Sequence, residues 1–215
     1  MSQVEYRSFF PDVLPYVPDC PDLTALAAIR DTCIEFCETS LWLRTTLDRD
    51  DIEAGEAEYY LTPGPGYVPV MALSVVYREK TILPTTVEWL DGHYGTNWRE
   101  HRGEPRYFIQ NRPETNQFVP IPDKSVKDGW YATVAVKPKS SSDRVSKSLL
   151  EHWHEAIGFG ARARIHEIPN QPFSDPVAAQ RFRAWFVAKC NEARAQTRQG
   201  VGRAPLRVKF KPFGV

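Results

Sequence analysis

The residues with the most obvious capacity for chemistry form a short His-Trp-His run. His152 and His154 flank Trp153, and the carboxylates of Glu151 and Glu155 flank both histidines. Residues two apart on a helix point in different directions, so the histidines do not share the face that a zinc-binding i, i+4 pair needs. We interpret the run as solvated helix residues beside a core tryptophan. A metal-dependent enzyme using His152 and His154 remains an alternative.

The other candidate motifs are incomplete. Cys33 and Cys37 lie four apart, without a second pair at zinc-ligand spacing. Asp48, Asp50 and Asp51 form an acidic cluster that lacks the glycine and terminal glutamate of an EF-hand loop. The sequence contains no nucleophile elbow, Walker-type loop or dinucleotide fingerprint. It therefore predicts a protein that is not an enzyme, with no catalytic residue, metal or cofactor.

The net charge of zero hides a gradient along the chain. Residues 1–60 carry 4 Lys/Arg and 13 Asp/Glu (net −9), residues 61–140 carry 10 and 8 (net +2), and residues 141–215 carry 13 and 6 (net +7). One interpretation is that these charges are solvated faces of three segments. The other is a charge-polarised subunit, whose acidic surface pairs with the basic surface of a neighbour.

Composition also restricts the compartment and the partners. No apolar run approaches the roughly 20 residues that a membrane-spanning helix needs, so we expect no membrane partner. Four cysteines are too few for a disulfide framework, which favours synthesis in a reducing cytoplasm. The many aromatic residues would suit a platform on which single strands stack. The basic residues, however, concentrate elsewhere, in the C-terminal part. A non-catalytic nucleic-acid-binding module is therefore an alternative and not the main interpretation.

The first helix and a β-rich middle follow from the hydrophobic pattern. Residues 1–21 are rich in proline and predict an arm or loop. Apolar residues then recur at three- and four-residue steps up to about Leu43, which predicts a helix. Five β-branched or aromatic runs bounded by turn residues predict a small antiparallel β-region, with a short helix near 85–93 that is capped by Thr85 or Thr86. The runs are 57–61, 69–77, 106–110, 117–121 and 131–137.

Two more helices and a basic tail complete the chain. Helical spacing runs over 149–168 until Pro169, and again from Val177 to Ala193, after a cap at Ser174 or Asp175. Small residues in the first of these helices predict close packing against another helix. In the tail, apolar and basic side chains alternate as in a strand that adds to a sheet edge of this chain or of a partner. The alternating residues are Leu206, Arg207, Val208, Lys209, Phe210 and Lys211.

Several short motifs follow one another in a characteristic order. They are Leu14-Pro15-Tyr16-Val17-Pro18, Leu41-Trp42-Leu43-Arg44, the run 52–61, Trp98, Gly103-Glu104-Pro105-Arg106-Tyr107, the run 134–138, the helix from Leu149 to Ala163, Pro169, Asp175-Pro176 and Phe182. In this order and spacing, the chain resembles the head-to-tail adaptor (connector) proteins of short-tailed and related bacteriophages. The resemblance covers most of the chain.

The resemblance implies an α+β fold, an antiparallel helical bundle with an inserted small antiparallel β-domain and an extended C-terminal arm. The boundaries would be an N-terminal arm and first bundle helix at 1–43, the β-rich domain at 44–139, two bundle helices at 140–200 and the arm at 201–215.

It also implies a structural virion protein of the neck or tail, made in the bacterial cytoplasm. Copies would form a homododecameric ring between the portal protein and a nozzle or tail-tube protein. Double-stranded DNA would pass through the channel without being read. On the matching tail, portal contact is expected at Arg203, Leu206, Arg207, Val208, Lys209, Phe210 and Lys211.

Overall fold

The chain folds into a curled sheet packed against a layer of helices. A computed structural model describes residues 2–199. The strands are β1 Gln3–Glu5, β2 Arg44–Thr46, β3 Asp50–Ile52, β4 Glu58–Tyr60, β5 Tyr67–Tyr77, β6 Lys80–Pro84, β7 Arg102–Gly103, β8 Tyr107–Arg112, β9 Thr115–Val119, β10 Ile121–Pro122, β11 Val126–Pro138 and β12 Arg144–Ser146. The helices are α1 Asp22–Ser40, α2 Val87–Tyr94, α3 Lys147–His166 and α4 Pro176–Gln199, with 3-10 turns at Tyr6–Asp12, Leu14–Tyr16 and Trp98–Glu100.

Eight strands form the curled sheet, in the order β2-β11-β5-β6-β8-β9-β4, and β3 also pairs with β11. All pairs are antiparallel except β6 and β8, which run parallel and are connected through α2. A parallel pair requires such a crossover because its strands cannot be joined by a tight turn. The remaining strands form two short pairs, β1 with β12 and β7 with β10.

The prediction of an antiparallel helical bundle with an inserted small antiparallel β-domain is wrong. The sheet is large and mixed, and its longest strand, β11, packs against α1. Two of its strands, β2 and β3, are short and consist mainly of exposed polar residues, so they lack the apolar alternation by which a strand is recognised. The pairing of β11 with β2 and β5 joins distant segments, which local patterns do not encode.

One apolar core runs from the curl of the sheet into the helical layer. Within the curl, the Tyr59 ring stacks on Phe118 with centroids 4.6 Å apart, and Trp130 packs edge-on against both. In the helical layer, the Phe36 ring lies 5.4 Å from Trp153 and contacts α4 as well. The shared core places the three long helices and the sheet in one packed unit.

The helix predictions are largely confirmed, with local differences. α1 ends at Ser40 rather than near Leu43, because Leu41 adopts a left-handed conformation with φ 56° and closes the helix. α2 is capped by Thr86 as expected, and the Asp175 carboxylate caps α4 by accepting from two backbone N–H groups. Among residues 2–199, no helix has the length and apolarity needed to span a membrane.

Close packing explains the glycines of α3, as predicted from the sequence. A Cβ on Gly160 would collide with the Thr32 methyl group of α1 and lie 2.8 Å from the Phe186 ring of α4. A Cβ on Gly158 would lie 3.0 Å from the carbonyl oxygen of Asp12. The proline-rich N-terminal segment therefore lies directly on α3, where it buries Phe9 and Val13.

Candidate assembly surfaces

Helix α4 presents two neighbouring rows of side chains, each with four-residue spacing. One row faces the protein and is buried: Ala178, Phe182, Phe186 and Cys190. The adjacent row contains Val177, Arg181 and Trp185. Val177 is 78% exposed and Trp185 is 45% exposed, and Arg181 is exposed as well. Residues four apart lie on one side of a helix, so α4 carries a partly apolar row that the subunit itself does not cover.

Trp185 belongs to a cluster at the surface that we call the aromatic–arginine patch, made of Tyr16, Phe159, Arg162, Arg181, Phe182 and Trp185, of which Arg162 and Phe182 are buried. The Trp185 ring packs on Phe159 and Phe182, with centroids 5.1 and 5.5 Å apart. The Arg181 guanidinium lies 5.5 Å from the centre of the Trp185 ring. Such arginine–aromatic contacts are favourable through the ring quadrupole. The patch thus combines fixed aromatic faces with cationic groups.

Arg162 anchors the patch and ties it to the N-terminal segment. Its guanidinium lies 3.7 Å from the centre of the Tyr16 ring, and its Nε donates to the Asp12 carbonyl oxygen at 2.8 Å. The residue is only 6% exposed, and burial lowers the pKa of Arg162.

Within the described part of the chain, the arginines of the patch interact with carboxylates only at longer range, Arg162 with Asp12 and Glu155 and Arg181 with Asp175. Among residues 2–199, neither Arg162 nor Arg181 forms an ion pair. The nearby Asp12 carboxylate instead contacts His154, and Asp175 caps the start of α4. A buried cation is costly unless it is paired. The Tyr16 ring and the Asp12 carbonyl oxygen stabilise Arg162, and only the exposed Arg181 is accessible to an acidic group from outside the subunit.

A second charged surface, the acidic segment, covers residues 48–58. Its six carboxylates are exposed: Asp48, Asp50, Asp51, Glu53, Glu56 and Glu58. The segment has a single basic residue, Arg49, which pairs with Glu79 at 2.7 Å. Asp51 and Glu53 accept local hydrogen bonds that hold the segment on the sheet. The remaining carboxylates form a surface of concentrated negative charge.

The two surfaces lie on different parts of the fold. The acidic segment pairs with the first half of β11, where Asp50 is opposite Trp130. The helical layer contacts the other end of β11, where Lys137 pairs with Glu38 of α1. Seven residues separate these two points of the strand, and an extended chain covers about 23 Å over that length. The acidic segment is therefore separated in space from the helical layer, whereas other carboxylates of residues 1–60, such as Asp12 and Glu35, contact that layer or belong to it.

An ion cluster holds the helices that carry the patch in place. Glu35 of α1 accepts from Arg164 of α3 at 2.6 Å and from Arg183 of α4 at 2.9 Å. Partial burial raises the pKa of the Glu35 carboxyl, but the hydrogen bonds and charges of Arg183 and Arg164 outweigh it, and the net pKa is lowered. The ionised carboxylate therefore stabilises the contact of the three helices.

The two histidines singled out in the sequence lie in separate environments. The His152 ring packs 5.9 Å from the Trp42 ring, whereas His154 Nδ1 lies 3.0 Å from a carboxylate oxygen of Asp12. Between them, Trp153 has non-helical backbone angles and kinks α3. Within residues 2–199, no three His, Cys, Asp or Glu side chains are grouped so that they could hold a metal ion. Cys33 and Cys37 are buried in the helical core.

A small satellite core lies on the sheet side of the molecule and consists of Leu90, Trp98, Ile109 and Val119. Trp98 is 1% exposed, and its Nε1 donates to an Asp91 carboxylate oxygen at 2.7 Å. Tyr107 packs against this cluster. Trp98 and Tyr107, two residues of the motif order, therefore belong to or pack against a core of the subunit itself.

The predicted portal-binding residues lie outside the described residues. They are Arg203, Leu206, Arg207, Val208, Lys209, Phe210 and Lys211. A comparison of the chain with protein-family models found no matching family, and curated proteins yielded no significant match. The resemblance to head-to-tail adaptors therefore stays a prediction.

The sequence interpretation missed the aromatic–arginine patch. The helical spacing of α4 includes Val177 and Trp185 together with Phe182 and Phe186, so the spacing alone does not separate the exposed row from the buried one. The missed signal is the second row, in which Val177, Arg181 and Trp185 follow one another at i, i+4 and i+8. The contact of Arg162 with Tyr16 carried no local signal, since the two residues are distant in the sequence.

Proposed function

We propose that this chain is a structural virion protein, a head-to-tail adaptor whose copies form a ring between a portal and a tail or nozzle protein. The observation that carries the proposal is the pair of unlike exposed surfaces. The aromatic–arginine patch lies on the helical layer, and the acidic segment lies on the far part of the sheet. A subunit that closes a ring by head-to-tail contacts needs two such different, complementary faces.

The order of motifs along the chain supports the same role. The resemblance to bacteriophage adaptors implies a homododecameric ring whose channel lets double-stranded DNA pass without sequence reading. Portal contact is assigned to residues 203–215, where apolar and basic residues alternate. A segment of this type can add as a strand to the edge of a partner sheet.

Electron microscopy of the full chain, alone and mixed with the portal protein of its phage, tests the proposal. We expect a closed ring that lies coaxially on the portal. A monomer that leaves the portal bare at micromolar concentrations of both proteins would contradict the proposed function.

Deleting residues 203–215 tests the portal assignment separately. The truncated chain should keep the melting temperature of the full chain and lose portal binding in a pull-down experiment. Unchanged portal binding would show that the tail assignment is wrong, although a ring on the portal would still support the adaptor role.

A further inference from the structure

We infer that the aromatic–arginine patch of one subunit binds the acidic segment, residues 48–58, of the next copy of the same chain. This inference rests on the proposed ring and names the two surfaces that close it.

The composition of the patch is typical of the centre of a protein interface. Arginine and aromatic residues are enriched in interface cores and among the residues that dominate binding energy. Trp185 is packed on one side by Phe159 and Phe182 and is 45% exposed on the other. Beside it, Val177 is 78% exposed on the same row of α4. The patch therefore presents rigid apolar area for a partner to cover.

The arginines specify the charge of that partner. Arg181 is exposed, lies near the Phe182 and Trp185 rings and forms no ion pair among the described residues, whereas Arg162 is almost fully buried. An exposed guanidinium such as that of Arg181 can bind the carboxylate oxygens of a partner in bidentate fashion. The partner surface should therefore bring carboxylates to the patch.

The acidic segment of a second copy fits this description. It brings six exposed carboxylates against the single, already paired Arg49. It lies on the first half of β11, away from the helices that build the patch, so the contact joins two copies and does not fold back within one. Because the two faces differ, repetition of the contact produces a chain of subunits that can close into a ring.

A charge-swap experiment tests the contact in the full-length protein. One variant is Arg181→Glu and the other combines Glu56→Lys with Glu58→Lys. All three side chains are exposed and outside ion pairs among residues 2–199, so each variant should keep the wild-type melting temperature. Each variant alone should weaken the contact by about tenfold or more in affinity, because every reversed charge faces a like charge. Sedimentation velocity with the portal protein should then show the loss of rings.

Mixing the two variants gives the decisive result. In alternating order, the reversed patch of one variant meets the reversed segment of the other, and the remaining contacts pair wild-type surfaces. Rings should therefore reappear in the mixture. Arg106→Glu and Glu100→Lys, which alter exposed charges elsewhere, should assemble like wild type.

The outcomes separate this inference from the proposed function. Should wild type and both variants all form rings, the ring stands and this assignment of its surfaces is wrong. The assignment of the two surfaces is also wrong if neither variant forms rings alone and their mixture forms none either. Where wild type itself forms no ring with the portal protein, the proposed function falls.

Discussion

Two tryptophans in two small aromatic clusters of this protein have opposite environments. Trp98 in the satellite core is 1% exposed and hydrogen-bonds Asp91, with the Arg99 guanidinium 4.2 Å from its ring centre. Trp185 in the aromatic–arginine patch is 45% exposed, and Arg181 lies near its ring without an ion pair among the described residues. Residues of the same chain cover Trp98 on all sides, whereas they cover Trp185 on one side only.

This difference separates folding from assembly. A tryptophan enclosed by its own subunit contributes to the free energy of unfolding of that subunit. A tryptophan that the subunit leaves half covered contributes more when a partner covers it, since removing apolar area from water is favourable. The two clusters should therefore respond differently to the same substitution.

The largest effect is expected for Trp98→Ala. Removing a fully buried tryptophan side chain costs about 3–5 kcal/mol, because the cavity collapses only partly. Urea unfolding of the unassembled subunit measures this loss. If it were below about 1 kcal/mol, the satellite core would not be the closed cluster described here.

A smaller loss is expected for Gly160→Ala, where α3 contacts α1 and α4. The added methyl group would collide with Thr32 and press on Phe186, and overpacking of this kind costs about 1–3 kcal/mol. The matched control is Gly92→Ala in α2, where nothing lies within 4 Å of the new Cβ. That substitution should raise stability by up to about 1 kcal/mol through helix propensity. Equal effects at both sites in thermal unfolding would contradict the described helix packing.

Glu35→Gln tests the ion cluster that supports the patch. We expect a loss of about 1–2 kcal/mol at pH 7, less than for a fully buried pair because solvent reaches both arginines. The folded pKa of Glu35 lies below its ordinary value of 4.5, so its ionised form stabilises the fold above that pH and the contribution disappears as the pH falls through the folded pKa. The difference between wild type and variant in urea unfolding should therefore shrink below about pH 4.5. A constant difference from pH 7 to pH 3 would argue against a charge-dependent role.

Trp185→Ala should have the smallest effect on the subunit and a large one on assembly. Loss of a half-exposed side chain at the surface should change the free energy of unfolding by about 1 kcal/mol or less. Ring formation with the portal protein should be lost, because the substitution removes the apolar centre of the patch. If the variant formed rings as readily as wild type, Trp185 would not belong to the interface between subunits.

The sequence indicated much of the local structure but not how the pieces are arranged. Thr86 and Asp175 were recognisable as helix caps, and the glycines of α3 indicated a close helix contact. The mixed sheet was not predictable, because its order depends on pairing between segments as distant as β2 and β11. Short polar strands such as β3 carry no apolar pattern of their own.

Of the two candidate surfaces, only the acidic segment was predictable from the sequence. The acidic residues of the segment are consecutive enough to be noticed, and Asp48, Asp50 and Asp51 were identified as a cluster. The patch, in contrast, is assembled by tertiary contacts such as Arg162 on Tyr16. A helical stripe also does not show where the buried face ends. Trp185 and Phe186 both fit the helical spacing, although only Phe186 is buried.

Hydroxyl-radical footprinting of the wild-type protein tests the central claim most directly. The portal-bound ring and the free subunit are separated by size, and the oxidation of each fraction is measured. We predict that oxidation of Trp185 and of residues 48–58 falls together in the ring, while Trp98 is protected equally in both fractions. Equal oxidation of Trp185 in the ring and in the free subunit would contradict the claim that two unlike faces of one chain meet there.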